Sequence, residues 1–178
     1  DHSDRKPSHV PDPEECPTLA QAMAAAMGRA MPMVTEWDAL DVRYAGDGSA
    51  YHHQNHATHM RLWVKASSTL PDDAVTHHAI LAYLSDMSLM AAAILPHLPA
   101  LPAGHTVSPA SIDHAMWFHR KGIADQWMLY DQISPSASGS HGFSMGRLIQ
   151  NGRLIASCAQ EGVIRVVDVA DQGSPFGL

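Results

Sequence analysis

The stretch from Asp72 to Leu95 restricts the fold more than any other part of the chain. It lies between Pro71 and Pro96, is built mainly of Ala, Leu, Met and Ile, and carries one formal charge, Asp86, beyond its first two residues. Proline suits the first turn of a helix, where its missing N–H costs nothing, and Asp72 and Asp73 are placed to meet the positive end of the helix dipole. A second proline cannot continue the ladder, so a long helix is predicted from about Asp72 to Leu95. Apolar residues on almost every side predict that protein wraps it. The flanks read as strands. Leu40, Val42 and Tyr44 alternate with Asp41 and Arg43, and Met60, Leu62 and Val64 alternate with Arg61, Trp63 and Lys65. After a Pro/Gly connection through Pro99, Pro102 and Gly104, strands are expected over Ser111–His119, Trp127–Ile133, Phe143–Ile149 and Leu154–Val167. Asn151-Gly152 between the last two tolerates the positive φ of a type I′ hairpin turn. The economical arrangement is an α+β layer, an antiparallel sheet wrapped around one long central helix.

The chain has 178 residues, enough for one domain with a core. Residues 1–17, with Pro7, Pro11, Pro13 and Pro17 among charged and small residues, read as a linker. A short helix is expected over 18–33, capped by Thr18 and presenting Met23, Met27 and Met31, then the main domain over 34–170 and a tail over 171–178. A net charge of −7 repels nucleic acid and anionic membranes, so neither is expected as a partner. No run of about 18 uninterrupted apolar residues is present, and a membrane crossing is not expected. Two cysteines, Cys16 and Cys158, imply no disulfide framework, which fits a reducing compartment and a cytoplasmic location.

Three residues stand out chemically. Asp86 has Ala82, Tyr83, Leu89 and Met90 at helical spacing, so its carboxylate falls on an apolar stripe and needs donors or a task. Gln160 ends a row, Leu154, Ala156, Cys158 and Gln160, that the two-residue strand period puts on one face. Ser111 opens a strand, where a hydroxyl can serve the backbone alone. His52, His53, His56 and His59 lack a Cys or carboxylate partner, and His114 and His119, five apart on a strand, point to opposite faces. No metal and no cofactor is expected. Phosphate-loop, dinucleotide and Gly-x-Ser-x-Gly motifs are absent, which removes nucleotide triphosphate chemistry and nucleophile-elbow serine hydrolysis.

Four blocks, Leu81–Asp86, Ala110–Arg120, Trp127–Gly139 and Asn151–Gly162, together resemble the second half of the type II (TesB-like) acyl-CoA thioesterases, in order and spacing, over about Asp38 to Arg165. The resemblance implies a double hotdog of which this chain is the C-terminal half. It also implies hydrolysis of acyl-CoA to fatty acid and CoA, with Asp86, Ser111 and Gln160 holding a nucleophilic water. Where that family commonly has His-Arg-Pro-Phe this chain has His119-Arg120-Lys121-Gly122, and Gly139-Ser-His-Gly142 lacks an Arg often found there. A chain beginning at Asp1 with a Pro-rich segment is what a cut between two hotdogs would leave. The expected partner is then the N-terminal hotdog or a second copy in a homo-oligomer. The rival reading is a non-catalytic hotdog module that pairs with another subunit and binds acyl chains. A hotdog dehydratase is weaker, because it wants a His–acid pair and the spacing suggests none.

Overall fold

The computed structural model describes residues 2, 3, 7, 10–27, 39–46 and 58–170. In chain order the elements are α1 (Leu19–Met27), β1 (Leu40–Tyr44), β2 (Thr58–Ala66), α2 (Ala74–Leu89), α3 (Ala91–Ile94), β3 (His105–Ser111), β4 (Ala115–Phe118), β5 (Met128–Ser138), β6 (His141–Gln150) and β7 (Arg153–Asp168). The strands form a single antiparallel sheet in the order β1-β2-β5-β6-β7-β3, with β4 following β3 along the same edge of β7. The sheet curls around α2, so the fold is an α+β hotdog. Strand alternation decides which side chains meet the helix: Met60, Leu62 and Val64 of β2, Met128 and Tyr130 of β5, and Ala156 and Cys158 of β7 pack with Leu81, Leu84 and Leu89.

Asp73 rather than Asp72 caps α2, its carboxylate accepting from Thr76 N at 2.8 Å and Thr76 Oγ1 at 2.7 Å. These bonds favour the charged carboxylate and hold the Asp73 carboxyl below its ordinary value. Three expectations about the helix are corrected. First, α2 ends at Leu89, and after the short α3 the chain winds on as a 3₁₀ segment over Leu95–Ala100. Pro96 opens that segment instead of stopping the helix, because a proline in a first turn forfeits no hydrogen bond. Second, the described residues cover only one side. His77, Leu81, Leu84, Ser85, Ser88 and Leu89 are buried, whereas Val75, Ala79, Ala82, Tyr83 and Asp86 form an exposed stripe at helical spacing. Third, the 27-residue helical stretch Ala74–Ala100 is long and apolar enough to cross a bilayer, which an uninterrupted-run criterion overlooks. The core helix of a folded domain meets the same composition, and the packed face of α2 is that of a core helix.

Other departures have local causes. β5 runs on through Pro135 to Ser138, because the register shifts between Ile133 and Ser136 and no ladder donor is needed at the proline. Gly139 and Ser140, at φ 56° and 63°, then make a second tight hairpin. β3 carries Pro109, which an edge strand tolerates. Asn151 and Gly152, at φ 50° and 73°, form the expected turn. The described part of residues 1–17 lies against the outer face of the sheet, where Cys16 is buried beside Trp63, Leu129 and Ile149, and Trp63 Nε1 donates to Pro11 O at 2.9 Å. Thr18 and Gln21 cap α1 reciprocally. Residues 28–38 and 171–178, with Met31 and the tail, lie outside the described residues.

Candidate active site

Asp86, Ser111 and Gln160 lie far apart in sequence on α2, β3 and β7, and the fold brings all three together. Gln160 is fully buried and supplies the junction, donating from Nε2 to Asp86 Oδ1 at 2.6 Å and to Ser111 Oγ at 2.7 Å. Both amide hydrogens are thereby spent, so the carboxamide has one orientation relative to the acid. Asp86 is exposed, with 57% of its side chain open to solvent, and the burial expected from its apolar neighbours is not supplied by the described residues. Its second oxygen has no protein donor among the described residues. Ser111 is also exposed, and its own hydroxyl hydrogen is left to donate, since Gln160 occupies it as an acceptor. A water or substrate can therefore reach the acid and hydroxyl from the open side while the amide is fixed from behind.

Local geometry explains why Gln160 faces the helix. Ala156, Cys158 and Gln160 share the inner face of β7, as the two-residue period demands. Leu154 does not belong to that row: a register shift between Leu148 and Ile149 leaves one extra residue in β7, so Ile155 joins the inner core and Leu154 the outer cluster. Gly162 lets the end of α2 come close. A Cβ there would stand 2.6 Å from Met90 Cε and 3.0 Å from the Ala110 carbonyl oxygen.

Residues that sequence reasoning missed lie on the same edge. The ladder pairs Ser111 with Gly162 and Ala115 with Ala159, so three residues, Ile112 to His114, stand opposite two, Gln160 and Glu161. The Ile112 and Asp113 amides both donate to Glu161 O, and Glu161 N donates to Asp113 Oδ1 at 2.8 Å. The extra residue reverses side-chain parity, so Ser111 and His114, three apart, reach the same inner face. His114 Nδ1 lies 3.4 Å from Gln160 Oε1 and 3.8 Å from Asp86 Oδ1, and Nε2 lies 2.9 Å from Ser85 Oγ. A His–acid pair is thus present where the sequence made none compelling. The Asp113-His114 pair within a strand was the available signal, but parity hid its direction. Ser144, opposite Gln160 in the β6–β7 ladder, is fully buried, and its hydroxyl has no partner among the described residues.

Cys158 lies next to this network through Tyr130, whose hydroxyl contacts Cys158 Sγ at 3.2 Å and donates to Ser85 O at 2.6 Å. Burial pushes the Cys158 thiol up to about 11, so it is protonated at neutral pH and unsuited to attack. Burial likewise raises the Tyr130 phenol well above its ordinary value. No cluster of metal-ligating side chains occurs among the described residues; His59 lies on β2, and His52, His53 and His56 fall outside them.

The class defined by this fold and site is a hotdog domain with an acid–amide–hydroxyl cluster between helix and sheet edge. The acyl-CoA thioesterase family profile matches residues 34–163, and the chain belongs to that family. An "Acyl-coenzyme A thioesterase 8" of Homo sapiens is 45% identical over 106 residues, 58% of this chain and 32% of that protein. An "Acyl-CoA thioesterase 2" of Haemophilus influenzae is 38% identical over 105 residues, 58% of this chain and 36% of that protein. The crystal structure of an acyl-CoA thioesterase II, TesB2, from Mycobacterium marinum superposes with a TM-score of 0.74 at 34% identity, covering 98% of this chain and 59% of that chain. The match spans about a third of each of these curated relatives.

Proposed function

We propose that this chain forms the water-activating half of an acyl-CoA thioesterase, its C-terminal hotdog. The observation that carries the reading is the fully buried Gln160 amide, which turns both of its hydrogens on Asp86 and Ser111. A thioester carbonyl is electrophilic enough for a positioned water to attack it directly. Asp86, through its open oxygen, takes a proton from that water as the new C–O bond forms. The tetrahedral intermediate then collapses by breaking the C–S bond, giving the fatty acid and the CoA thiol, to which the proton returns. Gln160 holds the carboxylate in place from the buried side, and Ser111 donates its remaining hydrogen to the water or to the developing oxyanion.

The exposed stripe Val75, Ala79, Ala82, Tyr83 and Asp86 supports a second hotdog as the missing wall of the site, either an N-terminal half or another copy. The His114–Asp86 proximity keeps hotdog dehydration as a second reading. Free-thiol release from medium- and long-chain acyl-CoA, followed alongside enoyl-CoA hydration, separates the two. Thiol release without hydration supports hydrolysis, whereas hydration without thiol release refutes it.

A further inference from the structure

We propose that His114 is a positioning residue: as an Nδ1–H donor to Gln160 Oε1, it fixes which way the Gln160 carboxamide faces and so keeps the amide hydrogens on Asp86. The inference rests on the thioesterase reading for its kinetic consequence, but not for its geometry.

A carboxamide has two orientations of nearly equal shape and opposite polarity. The orientation found here aims Nε2 at Asp86 and Ser111 and leaves Oε1 toward His114 Nδ1 at 3.4 Å. Turned over, the amide would set its oxygen against the Asp86 carboxylate, acceptor on acceptor. Which form His114 takes decides whether it supports or opposes this arrangement. Ser85 Oγ, fully buried, lies 2.9 Å from His114 Nε2 and 2.8 Å from Ala82 O. If neutral His114 carries its hydrogen on Nδ1, Ser85 donates to Nε2 and Nδ1–H donates to Gln160. If His114 is charged, Nε2–H donates to Ser85, Ser85 donates to Ala82 O, and Nδ1–H still donates to Gln160. Only the neutral Nε2–H form turns a lone pair on Oε1, and that form would reward the overturned amide. Two of the three forms thus satisfy every donor and acceptor in the group, and both place the hydrogen on Nδ1. Ser85 and Asp86 are neighbours on α2, so the bonds close a ring: Ser85 to His114 to Gln160 to Asp86. The extra residue between β3 and β4 makes this ring possible, because without it His114 and Ser111 would face opposite sides of the sheet.

Two measurements test it. Long-range ¹H–¹⁵N correlation on the histidine-labelled chain reads the His114 form directly and needs no activity; the expected result is a hydrogen on Nδ1. Acyl-CoA hydrolysis is then compared for the parent, His114→Asn, His114→Gln and His114→Phe, with any companion hotdog the parent needs. Asparagine keeps a donor near the Nδ1 position, glutamine keeps one near Nε2, and phenylalanine keeps neither. His114→Asn should stay within about 3-fold of the parent, while His114→Gln and His114→Phe should lose about 10- to 100-fold in kcat, the scale of one hydrogen bond to a charged network, with KM unchanged. An Nε2–H form in the spectrum, or parent-like kcat in His114→Gln or His114→Phe, overturns the proposal. A parent that shows Nδ1–H but releases no thiol refutes the thioesterase reading and leaves His114's positioning role supported.

Discussion

Replacing Gln160 by glutamate changes few atoms and reverses the chemistry of the junction. In the parent the amide nitrogen Nε2 sits 2.6 Å from Asp86 Oδ1 and donates to it. Gln160→Glu removes that bond, worth about 1.5–3 kcal/mol when the acceptor is charged, and puts a second carboxyl in its place. Two ionised carboxylates at the distance of that bond repel by about 3 kcal/mol even at an effective dielectric of about 40, chosen because Asp86 is half exposed. The introduced carboxyl also takes a position with no solvent exposure, which adds several kcal/mol against its charged form. Keeping one proton on an ordinary glutamate at pH 7 costs about 4 kcal/mol, less than the repulsion and desolvation combined. The pair is therefore expected to share a proton at neutral pH, leaving no free base. Thiol release measured against pH should show kcat lowered by about 100-fold at pH 7, with a climb toward alkaline pH where the parent is flat. The stability of the variant follows the same sign. The introduced carboxyl binds its proton more tightly in the folded than in the unfolded chain, so the variant is nearest the parent in acid and loses stability as pH rises. A variant within about 3-fold of the parent, with the same pH profile, would refute the role given to the amide.

Two further outcomes follow from the packing. Gly162→Ala brings a Cβ onto Met90 and the Ala110 carbonyl, and should cost about 1–3 kcal/mol by overpacking; thermal melting checks this, and kcat should fall because Gln160 is two residues away. The Cys158 thiol, raised from 9.0 to about 11 by burial, contributes stability that is whole below its unfolded value and lost as pH climbs toward the folded one. Denaturant midpoints between pH 9 and 11 should therefore fall by the equivalent of about 2 kcal/mol, Tyr130 adding to the loss at the upper end, and Cys158→Ala should flatten the slope.

The helix, the strand alternation of β1 and β2 and the Asn151-Gly152 turn were legible because each is a local signal repeated over many residues. So were Asp86 and Gln160 as polar residues in apolar rows, and their union with Ser111 came from the resemblance. What escaped were single-residue irregularities. The extra residue opposite Gln160 and Glu161 turned His114 inward, and the one at Ile155 turned Leu154 outward; parity arguments fail wherever one side of a ladder holds a residue more than the other. Pro109 and Pro135 disguised strands because an edge position and a register shift remove the hydrogen bonds that proline would break. The exposure of Asp86 escaped for a different reason: an apolar neighbourhood along one helix says that something covers that face, but not that the cover belongs to this chain.

Hydrolysis by this site turns most directly on Asp86 as the base. Release of CoA thiol from a long-chain acyl-CoA, measured with any companion hotdog bound, compares the parent with Asp86→Asn, a substitution of nearly the same shape at a half-exposed position. With Asp86 as the base, kcat should fall at least about 1,000-fold, the upper part of the range for a positioned base, with the fold retained by melting temperature and circular dichroism. Hydrolysis by Asp86→Asn at near the parent rate would contradict that role.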